Sequence, residues 1–79
     1  MTKTKLEEGI FNAFLDKGIV NPDFKIKITS REIIGNSDYA KVTVEIFPPK
    51  KRKPTIVWEL AINIVRNTIH WDKSSFYRP

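Results

Sequence analysis

The residues of this chain best suited to chemistry are cations, and they are concentrated in one segment. The 79-residue chain has a net charge of +5. Residues 24–53 contain eight Lys/Arg and three Asp/Glu, so this segment accounts for the whole positive excess. Such an asymmetry indicates a polyanionic partner, most often a nucleic acid. The alternative is a basic surface without a partner.

Two sets of cations have spacings that suit phosphate binding. The first is a run in a predicted loop after a Pro-Pro pair, and contacts of this kind give affinity without base specificity. The second set alternates along two predicted strands, where it would share a sheet face with the aromatic rings of Tyr39 and Phe47. The alternative is an ordinary solvated loop and sheet face. The two sets are Lys50, Lys51, Arg52 and Lys53, and Lys25, Lys27, Arg31 and Lys41.

No arrangement of residues typical of catalysis is present in the sequence. His70 is the only histidine, and no partner within hydrogen-bond reach is evident from its position. The chain has no cysteine and only three glycines, which excludes thiolate metal sites and a phosphate-binding glycine loop. We therefore expect no enzymatic activity, no metal and no cofactor.

The elements that must position these cations begin with a helix. Leu6, Ile10 and Phe14 lie on one face at helical spacing. Thr4 and Glu7 can form a capping box, and Gly18 stands where a left-handed residue ends a helix.

A two-stranded hairpin is predicted next, within residues 21–47. Apolar and polar residues alternate in both strands, around a turn at residues 35–38. The apolar set is expected to pack on the helices as the core, whereas Tyr39, Phe47 and the cations face outward. The predicted core set is Phe24, Ile26, Ile28, Val42, Val44 and Ile46.

Residues 55–71 fit two patterns. Ile56, Trp58 and Leu60 begin an alternation typical of a strand. The polar residues, however, fall on one narrow helical stripe, which favours a second helix beginning at Pro54. That stripe is Glu59, Asn63, Arg66, Asn67 and His70. Trp58 and Trp71 are expected in core or edge packing, and residues 74–79 are interpreted as a loop.

The hairpin residues resemble the ribosome-binding factor A family. Asn21-Pro22 precedes the first strand, Ile28-Thr29 lies near its centre, and Tyr39-Ala40-Lys41-Val42 opens the second. Ile64-Val65-Arg66 resembles the apolar-apolar-Arg step that ends the family's helix, and Arg78-Pro79 resembles the segment before its last strand. Asn63 stands at the kink that the family places between two helices.

The resemblance implies a single α+β, KH-like domain over residues 1–79. Its order would be helix-strand-strand-helix, with a kinked second helix and a final strand that is missing or very short. It further implies a non-catalytic ribosome assembly factor that binds the small ribosomal subunit and its rRNA during late maturation. Asn63 and Arg66 would then join the eight cations above as RNA-binding residues.

A protein of another class is also compatible with the sequence. A small protein-interaction module or inhibitor, for example one encoded by a phage, would bind a protein partner through the hairpin edge or through Trp71, Phe76 and Tyr77. For either class we expect a cytoplasmic monomer without a membrane segment or a small-molecule substrate.

Overall fold

One helix followed by four strands makes up the described part of the chain. The computed structural model describes residues 5–35 and 38–79. The strands form one antiparallel sheet in the order β1-β2-β3-β4, so each strand pairs with its neighbour in sequence. The predicted KH-like order with two helices is therefore wrong. The elements are α1 (Lys5–Asp16), β1 (Lys25–Ile33), β2 (Tyr39–Phe47), β3 (Ile56–Asn63) and β4 (Thr68–Tyr77).

The first helix is confirmed. Ile10 and Phe14 are its buried residues, as the helical spacing predicted. Gly18 adopts a φ of 74°, and the Ile19 amide donates to the Phe14 carbonyl at 2.9 Å, so the chain leaves the helix through a left-handed residue. Thr4 of the predicted capping box lies outside the described residues. No helix in the described residues is long and apolar enough to cross a membrane.

The core lies between α1 and one face of the sheet. Four alternate residues of β2 supply its centre and are fully buried: Ala40, Val42, Val44 and Ile46. The Phe14 ring lies 6.0 Å from the Trp58 ring and 5.9 Å from the Trp71 ring, centroid to centroid. The prediction that both tryptophans pack in the core or at its edge is therefore confirmed.

Residues 55–71 form no helix. The alternation of Ile56, Trp58 and Leu60 was the correct signal, because β3 pairs with β2 along its whole length. The residues of the predicted polar stripe therefore do not share one face, but lie on two strands and in the turn between them. Glu59 lies across the sheet from Thr43, Asn67 lies in the turn between β3 and β4, and His70 lies on β4. Tertiary pairing of β-branched residues outweighs the helical pattern.

The C-terminal residues 74–77 are part of a strand rather than a loop. β4 pairs with β3 at both ends, but four residues, 71–74, stand opposite Leu60 alone. Ser74 holds this irregularity together. Its hydroxyl accepts from the Ala61 amide at 3.1 Å and donates to the His70 carbonyl at 2.8 Å. The chain thus supplies two strands beyond the predicted hairpin.

A β-bulge in β1 changes which side chains share a face. Ile28 pairs with Val44 and Ser30 with Thr43, so Thr29 is an extra residue in the first strand. Lys25 and Lys27 precede the bulge and lie on the open face, away from α1. Beyond the bulge, Arg31 pairs with Val42 and lies on the face that carries α1.

Candidate nucleic-acid interface

The strongest concentration of positive charge is a groove at one end of the sheet, which we call the basic end. The groove has a volume of about 290 Å³. Its walls combine the start of β1 with the end of β2 and the loop that follows. The lining residues are Asp23, Lys25, Phe47, Pro48, Pro49, Lys50, Lys51 and Arg52.

Local geometry brings these residues together. Lys25 pairs with Phe47 across the first two strands, and Pro48-Pro49 ends β2 as predicted. The following loop is closed at its base, because the Thr55 amide donates to the Ile46 carbonyl at 3.0 Å. Lys50 adopts a φ of 63°, which turns the chain within the loop. Lys50, Lys51 and Arg52 therefore lie beside Lys25 in the groove.

The charge of this groove is largely uncompensated. Four cations line it and Asp23 is the single acid among its described lining residues. Lys53 belongs to the same exposed loop but does not line the groove. Phe47 is half-buried in the groove wall, so its ring stands next to the cations. Such a surface can bind a phosphate chain and offers one aromatic contact to a base.

Lys27 and Lys41 lie on the open face as predicted, but acids surround them. Lys27 pairs directly with Glu45, and Glu32 pairs with Lys41. The Lys41 Nζ also lies 3.2 Å from the Glu59 carboxylate. Opposite charges that face each other across strands attract, so this part of the sheet presents a mixed rather than a basic surface.

Three of the other predicted RNA-binding residues lie elsewhere in the fold than predicted, and their role in RNA binding stays a prediction. The bulge places Arg31 on the face opposite Lys25 and Lys27. Asn63 is buried at the end of β3, where its Oδ1 accepts from the amides of Val65 and Arg66 at 3.0 and 2.9 Å. It closes a hairpin turn and makes no kink between helices. Arg66 lies in that turn, at the far end of β3 from the basic loop, roughly 25 Å away at the usual rise per strand residue.

The outward aromatic rings are also separated. Tyr39 packs edge-on against His70 with 4.9 Å between ring centroids, and its hydroxyl lies 3.3 Å from the His70 Nε2. The Lys73 Nζ lies over the Tyr39 ring at 5.1 Å. Tyr39 is thus engaged by β4, and Phe47 alone of the two rings lines the basic end. The helix predicted over residues 55–71 concealed these contacts, because both His70 and Lys73 belong to β4.

Comparisons with protein families, with curated proteins and with solved structures found no match to this chain.

Proposed function

We propose that the protein is a non-catalytic nucleic-acid-binding protein whose basic end holds the phosphates of an RNA strand. One observation carries the proposal: cations from two separate chain segments converge on a single groove that has one acid. An unpaired cluster of this kind attracts a polyanion and releases counterions on binding. The other cations of the segment contribute long-range attraction at most.

The groove suits a single strand better than a duplex. Single strands leave base faces free to stack on an aromatic ring, and Phe47 is the ring beside the cations. Lysine and arginine contacts to phosphates carry no sequence information. We therefore expect affinity that depends weakly on base sequence.

Small-subunit ribosomal RNA is the first target to test. The residues that resemble ribosome-binding factor A most densely, around Asn21-Pro22 and Tyr39-Ala40-Lys41-Val42, belong to the β1–β2 hairpin and its entry. We propose on this basis a cytoplasmic role for a monomer in small-subunit maturation. The proposal uses the hairpin and the basic loop, and does not use a kinked helix.

The test compares two triple variants that remove the same charge. Lys51→Gln, Arg52→Gln and Lys53→Gln alter the basic end and leave the left-handed Lys50 intact. Lys17→Gln, Arg66→Gln and Lys73→Gln alter exposed cations elsewhere. In fluorescence anisotropy with a labelled single-stranded fragment of small-subunit rRNA, the first triple should lose about tenfold or more in affinity. The second should lose less than about threefold.

Equal losses in the two triples would contradict the basic end as the site, because only net charge would then matter. Failure of the native protein to sediment with small ribosomal subunits at low salt, with binding to the rRNA fragment retained, would leave RNA binding intact and contradict the ribosomal assignment. Absence of binding by the native protein at low salt would overturn both.

The edge strand β4 favours a protein-interaction module as a second candidate. Phe76 and Tyr77 at its end are 54% and 53% exposed, and β4 has a neighbour on one side only. An extended segment of a partner could pair with this edge. A nuclease-treated pull-down should then recover one protein with the native chain and lose it with Phe76→Ser and Tyr77→Ser. Recovery that needs intact RNA would contradict this candidate.

A further inference from the structure

A cavity lies between α1 and the sheet, away from the basic end. Its volume is about 620 Å³, within the range of small-molecule sites in proteins. Both layers of the fold line it: Leu6 and Ile10 from the helix, and Val42, Ile62 and Trp71 from the sheet. None of its lining residues lines the groove of the basic end.

Two exposed cations line this largely apolar space. Lys5 belongs to the first turn of α1, and Arg31 reaches the helix-bearing face because of the β-bulge at Thr29. None of the described lining residues is acidic. Bulges commonly redirect a side chain beside a functional site. An apolar cavity with two cations and no acid is electrostatically suited to a ligand that has one anionic group.

Gly9 occupies an exposed position of α1 beside this space. It lies in the middle of α1, where glycine costs about 1 kcal/mol relative to alanine. The protein itself gives no steric reason for it, because a Cβ at this position would meet no atom within 4 Å. Gly9 also lines the cavity. A side chain at this position would extend into open space at the cavity wall.

We propose that this cavity binds an elongated apolar molecule with a single carboxylate, of the fatty-acid class. The apolar chain lies between α1 and the sheet, and the carboxylate lies between Lys5 and Arg31. The space is partly open to solvent, and its volume of about 620 Å³ suits a small molecule better than a helix, which is about 10 Å wide with its side chains. The molecule is a bound ligand and undergoes no reaction.

Isothermal titration with dodecanoate tests the proposal, at concentrations below micelle formation. Dodecyltrimethylammonium has the same chain with the opposite charge and serves as the matched probe. We expect dodecanoate to bind at least about tenfold more tightly, because the cavity has two cations and no described acid. The triple variant of the basic loop should bind dodecanoate like the native protein, which separates this site from the RNA site.

Two variants locate the ligand within the cavity. Gly9→Leu fills the space while it raises helix propensity, so it should lower dodecanoate affinity at least about tenfold without lowering the midpoint of thermal unfolding. Arg31→Gln should reduce the preference for dodecanoate over dodecyltrimethylammonium about tenfold. Asn12→Ala, on an exposed position of the same helix that does not line the cavity, is the control and should bind normally.

Three results would overturn the proposal. Equal affinity for the two probes would mean that the cations do not select the head group. Unchanged affinity in a folded Gly9→Leu variant would place the ligand elsewhere. Binding of an 18-residue amphipathic Glu/Leu peptide, with none of dodecanoate, would mean that the cavity belongs to a protein interface.

Discussion

At the scale of single residues, position in the sheet decides what each polar side chain does. Alternation correctly placed Lys25, Lys27 and Lys41 on the open face. It misplaced Arg31, because the extra residue Thr29 reverses the alternation of side chains between the two faces. Nothing in the sequence around Thr29 marks it as a bulge. The helical stripe and the family resemblance misplaced Asn63, whose amide oxygen accepts from the backbone of the turn that follows.

The role of Asn63 gives a stability prediction. Asn63→Ala removes the acceptor of the Val65 and Arg66 backbone amides, at a side chain that is only 8% exposed. We expect a loss of about 1–3 kcal/mol in the free energy of unfolding, measured by urea denaturation. Asn63→Asp keeps an acceptor oxygen and should lose less.

The same two variants test whether Asn63 contributes to stability alone or also to RNA binding. Both should bind RNA like the native protein at temperatures where they are folded, because the turn lies far from the basic end. A folded Asn63→Ala variant with native stability but weakened RNA binding would contradict the placement of this residue.

At the scale of elements, the sequence predicted the helix and the strands whose local residue pattern agrees with the tertiary structure. The helical spacing of Ile10 and Phe14 and the left-handed Gly18 located α1. Strict alternation located β1 and β2. Residues 55–77 were mispredicted because their β3–β4 turn contains no glycine or proline, the usual signals of a hairpin. The left-handed residue of that turn is Asn67, with a φ of 55°.

The irregular part of β4 has its own prediction. Ser74→Ala removes the acceptor of the Ala61 amide and the donor to the His70 carbonyl. We expect it to lower the free energy of unfolding by about 1–2 kcal/mol. Ser75→Ala, at the exposed neighbouring position, is the matched control and should change it by less than about 0.5 kcal/mol.

Chemical denaturation of both serine variants against the native chain measures this difference. Equal effects of the two substitutions would contradict a stabilising role of the Ser74 hydroxyl at the irregularity between β3 and β4.

At the scale of the whole molecule, the positive excess of residues 24–53 divides among three places. Part of it forms the basic end, part is balanced by acids on the open face, and Arg31 faces the cavity under α1. The sequence contains this excess, and the polyanionic partner that it indicates stays a prediction. It could not predict the division, because that depends on the strand register and on the two additional strands.

The salt dependence of RNA affinity tests the basic end most directly. A single strand held by four or five phosphate contacts should give a slope of about −3 in a plot of log K against log salt concentration. The triple Lys51→Gln, Arg52→Gln, Lys53→Gln should reduce the steepness by about 2, and the matched triple at Lys17, Arg66 and Lys73 should leave it nearly unchanged. The same slope in all three proteins would contradict the assignment of RNA binding to the basic end.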